Sequence, residues 1–410
     1  MGGATRQVLA DRTARLLLGA VLVSGFGSSA MALVAGVWAK SLTGSSSLAA
    51  LATFCVWAPL LVGPWLGALA DRQRRRALLI RVHLALALLL PTLCLVTSGA
   101  WTPLLLLVLL VYGCASVLTD SAEAALVAQA VPSALRGHFN GLRLTANEGM
   151  KVLAPVVGAQ LFVRFGGHAV ALLDAATFAL ATLAFALIRD TEPTPAPERR
   201  PWTAQATEGA RELWRHPAPR RLVTVAAVTL FLAGVNGAAV YAVIDEGLGR
   251  RPEFAGTLYA VQGAGSALSG TLAGPLLRRL PEHLFAGAGT VTFTVGVLLR
   301  TTPSVDLALW GSALVGLGLP CALVAALTAV QREVPEPLLG RASATAGSLV
   351  FAPNALALGA GAALLGAVGH RPLLWGASAL TLLALPFCLH GSVHRGRGVH
   401  AGQDGGAHQT

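Results

Sequence analysis

Apolar runs of about 20 residues recur along the whole chain, separated by short polar stretches. At 1.5 Å of rise per residue, such a run crosses a hydrocarbon layer of about 30 Å as one helix. The pattern predicts twelve spans, at 16–38, 48–70, 77–98, 103–125, 143–163, 168–188, 222–243, 256–276, 284–300, 306–330, 344–367 and 371–391. They are numbered 1 to 12 below. The first run follows Arg6, Arg12 and Arg15 as a signal peptide would. It continues through Trp38 without a convincing cleavage site, so it reads as a retained first helix.

Connections between spans are short, as in helix hairpins, with one exception. Residues 189–221 are rich in Pro and charge and divide six spans from six. Within this linker Trp202, Ala206, Ala210, Leu213 and Trp214 share one helical face. Glu208, Arg211, Glu212 and Arg215 fall largely on another. Two readings stay open: an amphipathic helix at the membrane interface, or a solvated linker. The expected organisation is a six-helix bundle over 1–190, a linker over 191–221, a second bundle over 222–392 and a disordered tail over 393–410.

The two halves repeat. Residues 67–76 read GALADRQRRR and residues 270–279 read GTLAGPLLRR; residues 131–138 read VPSALRGH and residues 334–341 read VPEPLLGR. Both pairs are offset by 203 positions (270 − 67 and 334 − 131). A shared offset at separate places marks a duplicated unit of spans. The fold class follows: an all-α integral membrane protein with twelve transmembrane helices in two six-helix bundles, related by a pseudo-two-fold axis.

Composition supports this and narrows the function. Only 12% of residues are charged, against about 25% in soluble domains. The formal charge of +11 raises the possibility of nucleic acid, but its distribution argues against that partner. With both termini cytoplasmic, about 23 of the 30 basic residues fall in cytoplasmic segments and about 6 in outer loops; Lys151 lies in a span. This is the positive-inside pattern of a plasma or inner membrane protein. The five cysteines all lie in apolar runs without CxxC spacing, so neither a disulfide framework nor a metal site is expected. His394, His400 and His408 are scattered in the tail and give no metal-site pattern.

The segment Gly67-Ala68-Leu69-Ala70-Asp71-Arg72-Gln73-Arg74-Arg75-Arg76 resembles the major facilitator superfamily signature G-x-L-A-D-R-x-G-R-[RK]. It departs at Arg74, where the family has Gly. The second copy keeps Gly270, Leu272, Ala273, Arg278 and Arg279, but Gly274 replaces the acid. Gly67 leaves room for a neighbouring helix. Asp71 stands past a helix C-terminus, where the helix dipole disfavours an anion, so it needs an outside partner. The resemblance implies that Asp71 meets the start of span 11 after Gly340-Arg341. It also implies that Arg75 pairs with Asp120 or Glu123 at the end of span 4. Together with Arg72 and Arg76 they would form a latch between the halves; the lesser alternative is that the arginines only anchor the loop to anionic headgroups.

Ionisable groups inside spans need a reason. Glu148 and Lys151 stand at i, i+3 in span 5, and Lys151 lies about eight residues in, roughly 12 Å at helical rise. They either face a water-filled cavity, with Glu148 carrying a proton, or neutralise each other as a packed pair. Asp174 in span 6 is a second candidate, with helix pairing as its simpler role. Asn236, Gln262 and Asn354 are candidate cavity-lining groups that serve equally as interhelical hydrogen-bonding residues. Asp245 and Glu246 at the outer end of span 7 read as solvated, with guarding of the outer mouth as the lesser alternative.

Span 5 continues through Pro155 to Gly158, which is similar to the P-x-x-G core of the superfamily's antiporter motif; Ala154 and Ala159 replace glycines. A proline there predicts a bend. The order of features in 131–190 resembles the branch exporting macrolides and siderophores. The arginine that many proton-coupled drug exporters carry in span 4 is absent around Tyr112-Gly113-Cys114-Ala115. The resemblance implies a monomeric secondary transporter in the lipid bilayer that exports a small amphipathic compound by proton antiport. No cofactor is expected, no Walker-type loop is visible, and no enzyme-like cluster of His or Cys appears. An uptake permease and a transport-dead sensor remain as alternatives.

Overall fold

The computed structural model describes residues 8, 10–131, 133–188 and 202–389; at some helix positions, Asp71, Glu148 and Lys151 among them, it describes the backbone alone. Residues 189–201 of the expected linker and the expected tail lie outside the described residues.

Among the described residues every regular element is a helix. Span 1 is Arg12–Thr43, started by Asp11, whose carboxylate accepts the Ala14 N–H at 2.7 Å, and stopped by Gly44 at φ 68°. Span 2 is broken. An α-helix over Ser46–Trp57 passes through a 3₁₀ segment, Ala58–Val62, into Gly63–Asp71. Pro59 and Pro64 each remove a backbone donor there, so the regular ladder cannot run through. Span 3 is Arg75–Leu89 with a 3₁₀ extension over Leu90–Leu95, and span 4 is Thr102–Ala130.

Spans 5 and 6 are helical within Ser133–Leu187 and meet at a corner where Gly166 adopts φ 76° and ψ −179°. Gly369, between span 11 (Glu336–Val368) and span 12 (His370–Leu389), adopts φ 79°. The two glycines are 203 residues apart (369 − 166), so the duplication extends to a shared left-handed corner. Spans 7 to 10 are Pro217–Ala242, Ala255–Leu277, Glu282–Arg300 and Val305–Glu333. Several helices overrun their expected limits at the end that carries the arginine segments, called the basic end here. Span 5 starts at Ser133 rather than 143 because a helix leaving the membrane needs no apolar residues.

By length and apolarity alone, eight segments qualify to cross a membrane, one of them, 152–187, holding parts of both span 5 and span 6. The broken span 2 does not, and neither do the Gly- and Ser-rich span 8 and span 12. Packing nevertheless places them with the others. Span 1 packs on span 5 and span 7 on span 11, the same pairing in each half. Across the halves span 2 meets span 11 and span 5 meets span 8. Exchanging the halves converts one contact into the other, which is what a two-fold axis between two bundles requires.

The apolar cores are distributed unevenly. At the end opposite the arginines, the far end, Val240, Tyr241, Ile244, Ala255 and Leu258 of the second half pack into a cluster of the first half around Met31, Trp38 and Leu105. A smaller cluster of Ala50, Ala238, Leu358 and Ala362 also joins the halves. At the basic end each half keeps its own core: Leu17, Leu79, Phe139 and Phe185 in one, and Leu213, Leu222, Phe285 and Val330 in the other. Among the described residues, the apolar clusters that join the halves lie at the far end.

Candidate functional site: a pathway between the halves

The far-end seal is built from span 1 against span 7. Tyr241 donates its hydroxyl hydrogen to the Leu33 carbonyl at 3.0 Å. Its ring lies on Gly36, where any Cβ would fall within 2.4 Å of ring atoms. One turn further out, Lys40 Nζ lies 2.6 Å from Asp245 Oδ2. Lys40 also donates to the Gly44 carbonyl at 2.8 Å and to Ser46 Oγ at 2.9 Å. Asp245 and Glu246 sit in a π-turn, Val243–Gly247. This turn directs the two acids to different helices: Asp245 to Lys40, and Glu246 to within 3.2 Å of His370 Nδ1 on span 12. Asp245 and Glu246, expected to be solvated, thus carry partners that no local pattern announces. Span 5 completes the seal, with Gly158 against Ala30 and the Pro155 carbonyl and Ala159 against Gly256 of span 8.

At the basic end the signature segment is held within its own half. Gly67 meets Ser121 of span 4. Arg76 donates to the Phe185 and Ala186 carbonyls at 2.9 and 2.7 Å, placing a cation on the C-terminal end of span 6. Arg72 is exposed. The expected Arg75 pairing is not formed among the described residues: Arg75 Nε is buried without a partner. Arg143 of span 5 is the cation that acts electrostatically on Asp120 and Glu123. The Asp71 side chain lies outside the described residues.

The linker helix, Trp202–Arg215, adopts a third arrangement beside the two foreseen. It lies on the start of span 11, where Glu208 Oε2 receives Arg341 Nη1 at 2.7 Å and Leu213 is fully buried. Gly209 allows the approach, since a Cβ there would lie 2.6 Å from the Arg341 carbonyl oxygen. Trp214 keeps the exposure an interfacial residue would have.

Inside the bundles, Asp174 is fully buried. Tyr112 donates to its Oδ2 at 3.0 Å, Thr177 donates to its Oδ1 at 3.1 Å, and Gly27 of span 1 abuts it. No cation pairs with it among the described residues. The second half holds a counterpart of opposite sign that the span boundaries had concealed. Arg300, the last residue of span 9, is 2% exposed and reaches Asn236, Gln262 and Ser312 on spans 7, 8 and 10. A fixed cation in the last turn of an apolar run would have been the signal. Asn354 is half-buried, with its carbonyl against Gly234. The side chains of Glu148 and Lys151 lie outside the described residues.

The arrangement fits what the chain resembles. Residues 16–249 match the family model for the Major Facilitator Superfamily. An uncharacterized MFS-type transporter, YfiS of Bacillus subtilis (strain 168), is 29% identical over 237 residues. That match spans only 57% of this chain and 56% of that relative. A mutant of the nucleoside transporter NupG superposes with a TM-score of 0.74 at 14% identity, covering 92% of this chain and 100% of that one. A bacterial homologue of the iron transporter ferroportin in its inward-facing state superposes with a TM-score of 0.71 at 17% identity, covering 93% and 98%. At these identities the structures establish a common fold. The chain belongs to the major facilitator superfamily and is an integral, multi-pass membrane protein.

Proposed function

We propose that this transporter exports a small amphipathic organic compound in exchange for protons, with the basic end in the cytoplasm and the far end outside. The observation that carries the reading is the one-sided seal: both inter-half clusters and the Lys40–Asp245 bridge lie at the far end, while the basic end has separate cores. An alternating-access carrier occupies such a state when loading from one side. The arginine bias supports the orientation. The P-x-x-G core around Pro155 and Gly158 and the feature order of 131–190 support export. Asp174, whose carboxyl group meets hydroxyl donors and no cation among the described residues, and Glu148 are the acids proposed to carry protons. Asp71 is proposed to close the basic end against the start of span 11.

Everted membrane vesicles acidified inside should accumulate amphipathic fluorescent compounds through this protein, and Glu148→Gln or Asp174→Asn should reduce that uptake. Net flux in the opposite direction under the same gradient would replace export with uptake. The absence of any gradient-driven flux across a broad panel would favour the sensor.

A further inference from the structure

We propose that Arg300, acting through the amides of Asn236 and Gln262, forms an anion-recognition site in the second half, and that the cargo carries a carboxylate or comparable oxyanion. This rests on the transport reading above and narrows its substrate class.

Arg300 is among the largest fully buried side chains. Its stem passes over Gly311, where a Cβ would lie 3.2 Å from its Cγ, so the guanidinium reaches the interior of its bundle. There Nε and Nη2 donate to Ser312 Oγ at 3.0 and 2.8 Å. Nη2 also donates to Gln262 Oε1 at 3.1 Å, and Nη1 donates to Asn236 Oδ1 at 3.3 Å. All partners are neutral, and no carboxylate reaches it among the described residues. A guanidinium stays charged when buried, so the site holds a positive charge without a counter-charge. Leaving a buried ion unpaired is costly, which is why ionisable groups within a membrane mark ligand paths.

The amides transmit this charge. Arginine offers only donors, so it orients both amides with their oxygens toward it. Their NH₂ groups, four N–H donors, must then point away. Neither amide nitrogen has a hydrogen-bond partner among the described residues, and neither is buried without one. The result is a surface of donors alone, backed by a cation, which is the complement of an oxyanion.

Its position fits a cargo site. Asn236 lies one and two turns from Val240 and Ile244, and Gln262 lies one and two turns from Tyr259 and Ala255. All four of these residues pack in the cluster that seals the halves together. The amides therefore stand on the same helix faces as the seal, one to two turns from it. Gln262 is partly exposed and Asn236 is 8% exposed.

Arg300 is a positioning residue, and its removal risks unfolding four helices. The decisive variants are Gln262→Glu and Asn236→Asp, which keep an acceptor toward Arg300 but replace the outward donors with acceptors. Binding is read on purified full-length protein by thermal stabilisation and fluorescence titration, using 1-pyrenebutyrate and naphthaleneacetate against their methyl esters. The wild type should prefer the acids, and either variant should lower affinity for the acids at least about tenfold, equivalent to ~1.4 kcal/mol, without loss of the folding transition or of ester binding. Equal or greater wild-type affinity for the esters would overturn the proposal, as would variants that bind the acids like wild type. Because binding is measured without a proton gradient, a failure of export alone leaves the acid preference intact and overturns only the transport direction.

Discussion

Lys40 and Asp245 close the far end across the two halves at 2.6 Å, yet they sit in unequal surroundings: the lysine side chain is 7% exposed and the aspartate 49%. Lys40 keeps two further acceptors, Gly44 O and Ser46 Oγ, when the aspartate leaves. Asp245 retreats into water. The bridge can therefore open without stranding an unsolvated group, as a reversible latch requires. A half-exposed pair is worth about 0.5–1 kcal/mol. Asp245→Asn should raise the far-end-open population about two- to fivefold. Alkylation of a cysteine placed at Ala50, in a background without native cysteines, reads this from outside. Unchanged labelling would remove the bridge from gating.

Gly36 under Tyr241 should govern the same seal sterically. Gly36→Leu would hold span 7 off span 1 at a cost of about 1–3 kcal/mol, typical of overpacking. Labelling at Ala50 should rise more than in Asp245→Asn. Adding Tyr241→Ala to the Gly36→Leu variant should restore closure; failure of that rescue would place the effect elsewhere. Tyr241→Phe loses one hydrogen bond, about 0.5–1.5 kcal/mol, and should have a smaller effect.

Docking of the linker helix depends on Gly209 more than on the Glu208–Arg341 pair. The pair is partly exposed, 38% for the glutamate and 34% for the arginine, so Glu208→Gln should have little effect. Gly209→Leu puts side-chain atoms into the backbone of span 11 and should expose 202–215 to protease and speed its amide exchange. If exchange in that helix stays at wild-type rates, the docking is not what holds it.

Asp174 gives a test that separates proton coupling from packing. Asp174→Ala strands the Tyr112 hydroxyl in an apolar site, about 1–3 kcal/mol for the unsatisfied group, while Thr177 keeps the main-chain carbonyl of residue 174 at 2.7 Å. Asp174→Asn keeps a carbonyl acceptor and should fold nearly as well. Proton-driven flux should fall in both variants, while the melting temperature should drop mainly in the alanine variant. A fully coupled asparagine variant would leave Asp174 as a packing residue.

Much of the architecture was legible because it is one-dimensional. Apolar runs announce helices whatever their neighbours, and the 203-residue offset extends from the arginine segments to Gly166 and Gly369, one corner made twice. The break in span 2 follows from two prolines. The linker helix was visible as an amphipathic pattern, but its partner was not, since Glu208 and Arg341 stand 133 residues apart.

Sequence alone determined twelve spans, their duplication and the basic end, because length, apolarity and charge bias act locally against the bilayer. Only the tertiary structure decided which charges meet. Lys40 finds Asp245 through the axis between the halves, and Arg300 finds two amides and a serine on three other helices. Arg143, not Arg75, is the cation acting on Asp120 and Glu123. In a medium with no water to accept stray donors, such pairings are set by three-dimensional proximity of helices that the chain connects only at long range.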